Sequence, residues 1–205
     1  MVSLILRNMA RAALGLVVLV ALTPILWTTL GAFKQLRDIV TPVPKLFFTP
    51  TLENFATILG NPTIRDGLVN SVIVVAVAVG IGAALGIPAA HTLARHARRY
   101  GDDVQFFVLS LRFMPPVAIA IPFIVIYLDL GIYDSLGGLI LVYLVTTIST
   151  VIWLAVPAFD RVPREIEEAA AMEGCTEAEV FWRFSLPIAA PSLFGALVFT
   201  FVLVW

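Results

Sequence analysis

The chain has 205 residues, of which 60% are hydrophobic and 13% charged, and its mean hydropathy is +0.99. A soluble domain carries about a quarter charged residues, so this composition excludes a soluble globular protein and predicts an all-α membrane protein. The net charge of -1 excludes a global attraction for nucleic acid. The single Cys175 excludes an internal disulfide and a cysteine-based metal cluster, and the sequence has no P-loop for nucleotide phosphates.

Apolar runs predict five membrane-spanning helices. They cover about 12–33, 68–90, 104–128, 136–159 and 187–205. The first run is too long for a cleaved signal peptide and ends without a small-residue cleavage site, so we expect a retained anchor. The second contains Gly82 and Gly86 at a spacing that lets two helices approach closely, although glycines scattered without a packing role explain it equally well. The fifth run reaches the end of the sequence, and an odd number of spans without a tail is typical of a fragment.

Positive charge predicts the orientation. Segments 1–11, 91–103 and 160–186 hold eight arginines, whereas segment 34–67 holds four basic residues and segment 129–135 none. Because cytoplasmic loops accumulate Lys and Arg, the N-terminus and segment 160–186 are predicted to be cytoplasmic, and segment 34–67 extracytoplasmic. Prolines interrupt this outer segment, so neither a long helix nor a separate soluble domain is predicted there. The whole chain is predicted to be a single transmembrane domain.

Two histidines, His91 and His96, lie in one polar segment. No HExxH pattern surrounds them, so we predict solvated loop residues rather than metal ligands.

An acidic segment lies in the last cytoplasmic loop, with six glutamates between Glu165 and Glu179. Pro163 and the early glutamates suit the first turn of a helix, where negative charge meets the positive end of the helix dipole. Gly174 is predicted to end this helix in the left-handed conformation. Thr176 and Glu179 have the spacing of a capping box, which predicts a second short helix.

This helix pair is predicted to close at Leu186-Pro187, before the next span. A connector that lies on anionic lipid usually carries Lys and Arg on its polar face. The glutamate-rich composition therefore favours a protein partner over a lipid surface.

A motif with long fixed spacing falls in the same segment. Glu168-Ala169-Ala170 is followed after three residues by Gly174, and after nine more by Phe184-Ser185-Leu186-Pro187. This pattern resembles the EAA motif of permease subunits in bacterial ABC importers, where Phe184 departs from the usual isoleucine. The stretches PTLENFATIL, LVNSVIVVAVAV, FMPPVAIAIPF and RVPREIEEAA are similar to the carbohydrate branch, of the maltose-permease type. The resemblance covers nearly the whole chain, and family members continue through a sixth helix.

The resemblance implies a MetI-like transmembrane bundle in the bacterial inner membrane, with about five of six spans present and the N-terminus in the cytoplasm. It implies three kinds of partner: a second permease subunit, two copies of a cytoplasmic ATPase, and an extracytoplasmic sugar-binding protein. ATP and magnesium would be bound by the ATPase, so this chain would hold no cofactor or metal and would not be an enzyme. In the coupling segment, 160–186, the resemblance assigns ATPase docking to these residues: Glu168, Ala169, Ala170, Gly174 and Pro187.

Polar residues in or near the spans are candidates for the translocation path: Asn70, Ser110 and Arg112. Arg112 precedes Pro115 and Pro116, which remove backbone donors and kink a helix. Its guanidinium either stabilises this kink by bonding exposed carbonyls, or lines the path and bonds sugar hydroxyls or the second permease subunit. The sequence leaves both interpretations open.

Two other functions compete with sugar import by an ABC permease. A secondary transporter would carry membrane-embedded carboxylates for proton or sodium coupling. Spans one, two, four and five contain no Asp or Glu, and the charged residue of span three is Arg112. A channel or structural adaptor leaves the coupling segment unexplained. Among ABC importers, a permease for an amino acid, a peptide or a polyamine remains the alternative.

Overall fold

The computed structural model describes residues 2–96, 101–111 and 116–205, and every regular element within these ranges is helical. The helices are α1 (Val2–Ala32), α2 (Leu36–Ile39), α3 (Glu53–Gly60), α4 (Pro62–His96), α5 (Gly101–Ser110), α6 (Pro116–Asp129), α7 (Leu136–Asp160), α8 (Arg164–Met172), α9 (Glu177–Val180) and α10 (Leu186–Val204). A π-helical turn, Phe181–Ser185, joins α9 to α10. The prediction of an all-α protein is confirmed.

Within the described residues, four helical stretches are long and apolar enough to cross a membrane. They are Arg7–Ala32, Pro62–Arg95, Leu136–Asp160 and Glu177–Val204. The second predicted span lies within α4, which begins earlier because its first turn tolerates Pro62. The third predicted span falls on α5 and α6, except for residues 112–115, which lie outside the described residues. The shorter apolar stretch Ala120–Asp129 belongs to α6.

The chain divides into two compact units, residues 1–68 and 69–205. In the first unit, the outer segment caps the end of α1. The side-chain amide of Asn54 donates to the carbonyls of Ala32 and Lys34, at 2.9 and 2.7 Å. Lys34 is buried, with its ammonium 5.0 Å from the ring centre of Trp27 and 5.1 Å from that of Phe48. Cation–π contacts of this kind offset part of the cost of removing a lysine from water.

The core of the second unit lies where the ends of α4, α7 and α10 meet, on the side predicted to be cytoplasmic. Its buried members are Ala90, Ile152, Ala155, Val156, Ala158, Phe159, Val162, Phe181, Ala189 and Leu193. Phe159 is fully buried at its centre. Helices α5 and α10 both pack against α7, so α7 is the central helix of this unit.

The two glycines of α4 pack against α7. A methyl group added at Gly82 would lie 2.9 Å from Cβ of Thr147, and one added at Gly86 would lie 2.8 Å from Cγ1 of Val151. Real side chains do not approach this closely, so the backbone of α4 lies where only glycine fits. Of the two explanations that the sequence left open, the structure confirms close helix approach.

Hydroxyl groups on α7 bond within their own helix. Thr147 donates to the carbonyl of Leu144 at 3.3 Å, and Thr150 donates to that of Thr146 at 2.6 Å. Both residues are fully buried. Because these hydroxyls are satisfied locally, α7 carries polar side chains through an apolar interior at little cost.

Candidate functional site

The coupling segment begins with α8, which ends in a Schellman motif. Gly174 has φ of +89°, in the left-handed region. The amide of Cys175 donates to the carbonyl of Ala170 at 3.1 Å, and the amide of Gly174 donates to that of Ala171 at 3.0 Å. These two bonds satisfy carbonyls that the end of a helix would otherwise leave unpaired. The prediction that Gly174 ends α8 in the left-handed conformation is confirmed.

The turn leads into α9 through the predicted capping box. The amide of Glu179 donates to the hydroxyl of Thr176 at 3.3 Å, and the carboxylate of Glu179 accepts from the Thr176 amide at 2.9 Å. Hydrogen bonds from the Thr176 backbone and side chain lower the pKa of Glu179 below its usual range. The carboxylate of Glu179 therefore helps to fix the angle at which the chain enters α9 after the turn that ends α8.

The second helix of the predicted pair does not end before Pro187. It continues through the π turn into α10, and Glu177–Val204 forms one long helical stretch. Pro187 has no amide hydrogen, and its ring would clash with the carbonyl four residues earlier in a regular helix. In the π turn, the amide of Leu186 donates instead to the carbonyl of Phe181, five residues earlier. The wider turn thus accommodates the proline, and the predicted boundary at Leu186-Pro187 is wrong.

The residues to which the resemblance assigns docking differ in exposure. Glu168, Ala169, Gly174 and Pro187 are exposed, whereas Ala170 is buried. Ala170 therefore packs inward and lets α8 lie close to the bundle. The same segment carries exposed apolar side chains, with Met172 at 90% exposure and Trp182 at 63%.

A residue that the sequence did not single out, Glu167, lies at the centre of the segment's contacts. Its carboxylate accepts from Nε of Arg95 at 2.5 Å and from the hydroxyl of Ser185 at 2.6 Å. Nη2 of Arg95 also donates to the carbonyls of Phe159 and Val162, at 2.9 and 3.0 Å. This cluster joins the ends of α4 and α7 to α8 and the π turn.

His91 belongs to the same cluster, so its prediction as a solvated loop residue is wrong. It lies inside α4, where its Nε2 is 3.5 Å from Oε1 of Glu167. Its ring makes edge contacts with Phe159 and Phe181, at centroid distances of 5.1 and 5.0 Å. Because α4 extends beyond the apolar run, it carries this polar residue into the aromatic core. His96 also lies in α4 rather than in a loop.

Burial and hydrogen bonding shift the pKa of Glu167 in opposite directions. Burial alone would raise the pKa of its carboxyl, but hydrogen bonds from Arg95 and Ser185, together with the charges of Arg95 and His91, lower that pKa overall. The group is therefore a carboxylate at neutral pH.

This shift predicts a pH-dependent contribution to stability. Because the pKa is lower in the folded state, the carboxylate stabilises the fold at pH values above its ordinary pKa of 4.5, and this gain is lost as pH falls through the folded-state pKa. We expect Glu167→Gln to lower the free energy of unfolding by about 2 kcal/mol at neutral pH. Thermal unfolding in detergent, at neutral pH and at an acidic pH below 4.5, would show a smaller difference at the acidic pH. An equal difference at both pH values would contradict this, and exposed Glu165→Gln is the control.

A cavity of about 830 Å³ lies at the other end of the second unit, where α6, α7 and the turn between them meet α4. Asn70 lines it, together with Phe123, Tyr133, Asp134 and Thr146. Of the other path candidates, Ser110 is not among the lining residues, and its hydroxyl donates to the carbonyl of Phe107 at 2.7 Å. Arg112 lies outside the described residues.

Local hydrogen bonds hold the rim of this cavity. The hydroxyl of Tyr127 donates to the carbonyl of Gly138 at 2.9 Å, and that of Ser135 donates to the carbonyl of Ile132 at 2.6 Å. Ser135 also caps α7, since its oxygen accepts from the Gly138 amide at 3.0 Å. The cavity therefore has a preformed wall with aromatic rings and polar groups, as small-molecule sites commonly have.

Comparison with known proteins decides the family. Residues 82–205 match the family model of the binding-protein-dependent transport system inner membrane component. The match covers more than half of the chain, including α7, the coupling segment and α10. The chain belongs to this family. It is thus a membrane subunit of permease type.

Curated relatives agree with this assignment along most of the permease. A probable ABC transporter permease protein of Sinorhizobium fredii is 30% identical over 91% of this chain and 67% of the relative. A diacetylchitobiose uptake system permease protein of Streptomyces coelicolor is 32% identical over 89% of this chain and 66% of the relative. A trehalose transport system permease protein of Mycobacterium tuberculosis is 28% identical over 93% and 69%. The chain spans about two thirds of the length of these relatives.

A solved structure supports the fold of the permease. The crystal structure of a bacterial ABC transporter involved in the import of the acidic polysaccharide alginate superimposes with a TM-score of 0.75. The match covers 98% of this chain and 71% of that one, at 20% sequence identity. The predicted MetI-like importer fold is confirmed.

Proposed function

We propose that this permease carries a sugar across the bacterial inner membrane as part of an ATP-driven importer. A second permease subunit, two copies of an ATPase and an extracytoplasmic binding protein complete the complex. ATP and magnesium are bound by the ATPase subunits, while the permease supplies the path and the surface that the ATPase moves.

The coupling segment carries the proposal for ATP-driven transport. The Schellman motif and the capping box fix both sides of the turn, and they present Glu168 and Gly174 on an exposed surface. Met172 and Trp182 add exposed apolar area beside the acidic groups. A rigid surface with acidic and large apolar side chains suits a protein partner that offers Arg or Lys and an apolar groove.

The cavity supports sugar as the cargo. Asn70, Asp134 and Thr146 provide donors and acceptors for hydroxyl groups. Phe123 and Tyr133 provide flat apolar surfaces on which the C–H faces of a sugar ring can pack. Relatives whose names include trehalose and diacetylchitobiose uptake agree with this chemistry.

A transport assay tests the cargo and the driving force together. The complete complex in proteoliposomes is expected to take up one or more labelled sugars only when ATP is present. Labelled amino acids, peptides and polyamines serve as the comparison panel. Uptake of a member of that panel, without uptake of any sugar, would show that the cargo is not a sugar. Uptake driven by a proton or sodium gradient without ATP would reject the ABC mechanism.

Variants of the cavity test its role in the path. We expect Asn70→Leu and Tyr133→Leu to reduce sugar uptake by about tenfold or to change sugar selectivity, because each removes a hydrogen-bonding group worth roughly 1–1.5 kcal/mol. Both variants should assemble normally with the second permease subunit. Ile126→Leu, at an exposed position of α6 outside the cavity lining, is the control. Unchanged uptake and selectivity in both variants would remove the cavity from the path.

A further inference from the structure

Glu167 differs from the other glutamates of the coupling segment in the direction of its side chain. The other five are exposed: Glu165, Glu168, Glu173, Glu177 and Glu179. The side chain of Glu167 is only 12% exposed, and its partner Arg95 is 7% exposed. Both carboxylate oxygens of Glu167 are already bonded inside the chain. It is therefore poorly placed to meet an external partner.

The contacts of Glu167 reach two different membrane helices. Arg95 lies at the end of α4, and it is 72 residues away in sequence. Ser185 lies in the π turn, at the point where the helix of the coupling segment continues into α10. One carboxylate therefore links α8 both to α4 and to α10.

Arg95 strengthens the connection by bonding a third element. Its Nη2 donates to the carbonyls of Phe159, in α7, and Val162, just beyond that helix. The Phe159 carbonyl also accepts from the amide of Val162 at 2.9 Å, so Arg95 bonds to the turn that ends α7. The guanidinium is thus held from two sides, and charge-assisted bonds of this kind are stronger and more directional than neutral ones.

We propose that Glu167 is a positioning residue that transmits movement of the coupling segment to α4 and α10, whereas the exposed Glu168 and Gly174 dock the ATPase. The inference rests on the proposed function, because it requires an ATPase that moves the segment. Without the carboxylate, α8 keeps the buried contact of Ala170 and the bond from Arg164 to the carbonyl of Ala94, 3.3 Å long. Docking should then persist while movement of the spans is lost.

The experiment uses the complete complex and a reporter at the cavity. Cys175, the only cysteine, is replaced by serine, and Leu136→Cys places a new thiol in the cavity lining. The rate of labelling by a membrane-impermeant maleimide is measured with and without ATP plus vanadate, which trap the ATPase. Co-purification of the ATPase is measured on the same samples.

In the background with Glu167 intact, we expect the labelling rate to change when the nucleotide is trapped. Glu167→Gln should retain the ATPase and lose this nucleotide-dependent change. Glu165→Gln is the matched control, because Glu165 lies two residues away and makes no side-chain bond within the described part of the chain. It should behave like the parent protein.

Retained docking with an unchanged nucleotide response in Glu167→Gln would overturn the inference. Loss of docking in Glu167→Gln would overturn it too, since Glu167 would then act in docking itself, and the proposed function would stand. If the parent complex captures no ATPase, the proposed function fails before any variant is compared.

A second variant, Ser185→Ala, serves if Glu167→Gln does not insert into the membrane. It removes only the link to α10, and we expect it to weaken the nucleotide response while docking stays intact. An unchanged response in Ser185→Ala would also overturn the inference.

Discussion

Replacing Gly174 by valine is expected to reduce capture of the ATPase by about tenfold while membrane insertion stays intact. A β-branched side chain in the left-handed region costs about 1–2 kcal/mol, and Gly174 has φ of +89°. Apart from its chain neighbours, no atom of the described residues lies within 4 Å of the position that a Cβ would occupy. The effect therefore comes from the backbone: the turn must open, and the two bonds of the Schellman motif are lost.

Asparagine at the same position distinguishes this backbone effect from steric interference at the docking surface. Gly174→Asn also adds a side chain, but asparagine tolerates the left-handed conformation. It should therefore keep most of the docking. Co-purification of the ATPase with each variant, at matched expression, measures the difference. Equal capture by the valine variant and the parent protein would reject a docking role for this turn, and equal loss in both variants would point to the surface rather than the backbone.

Replacing Gly86 by alanine is expected to lower the free energy of unfolding by about 1–3 kcal/mol, the usual cost of overpacking a core. The new methyl group would lie 2.8 Å from Cγ1 of Val151, a stiff β-branched residue that is almost fully buried. Gly82→Ala should act in the same way against Thr147. The helices must then move apart or tilt, since neither partner can turn away.

Gly80 provides a control of opposite sign on the same helix. Apart from the nearby backbone of α4 itself, no atom in the described part of the chain lies within 4 Å of a Cβ built there. Alanine also favours a helix over glycine by about 1 kcal/mol. Gly80→Ala should therefore leave stability unchanged or raise it. Thermal unfolding in detergent, followed by helical circular dichroism, compares the three variants. If Gly86→Ala unfolds at the same temperature as Gly80→Ala, the close approach of α4 and α7 does not contribute to stability.

Features encoded by a few neighbouring residues could be predicted from the sequence. The left-handed Gly174 and the capping box of Thr176 and Glu179 follow from rules that act within one turn. The apolar runs likewise predicted the long helices, because length and hydropathy are properties of contiguous sequence. The glycine spacing in α4 indicated a possible contact, but it could not identify the facing residues.

The contacts of Glu167 could not be predicted in this way. Arg95 and Glu167 are far apart in sequence, and six glutamates in one segment offered no means of choosing the one that turns inward. The polar neighbours of His91 predict a loop, whereas α4 continues past it. A regular helix excludes Pro187, so the sequence predicts a break there, and the π turn that admits the proline depends on the packing of the whole helix.

The local bonding of the hydroxyls on α7 has a mechanical consequence. Thr147 and Thr150 donate to carbonyls of their own helix, so at the level of Gly82 these side chains do not tie α7 to α4 through a donated hydrogen bond. Sliding along smooth, glycine-faced surfaces is the shear type of motion. At its other end, α4 is fastened to α7 through Arg95. Sliding of α4 along α7 at the level of Gly82 would therefore break none of these hydrogen bonds, whereas a shift at the Arg95 end would break the bond to Phe159.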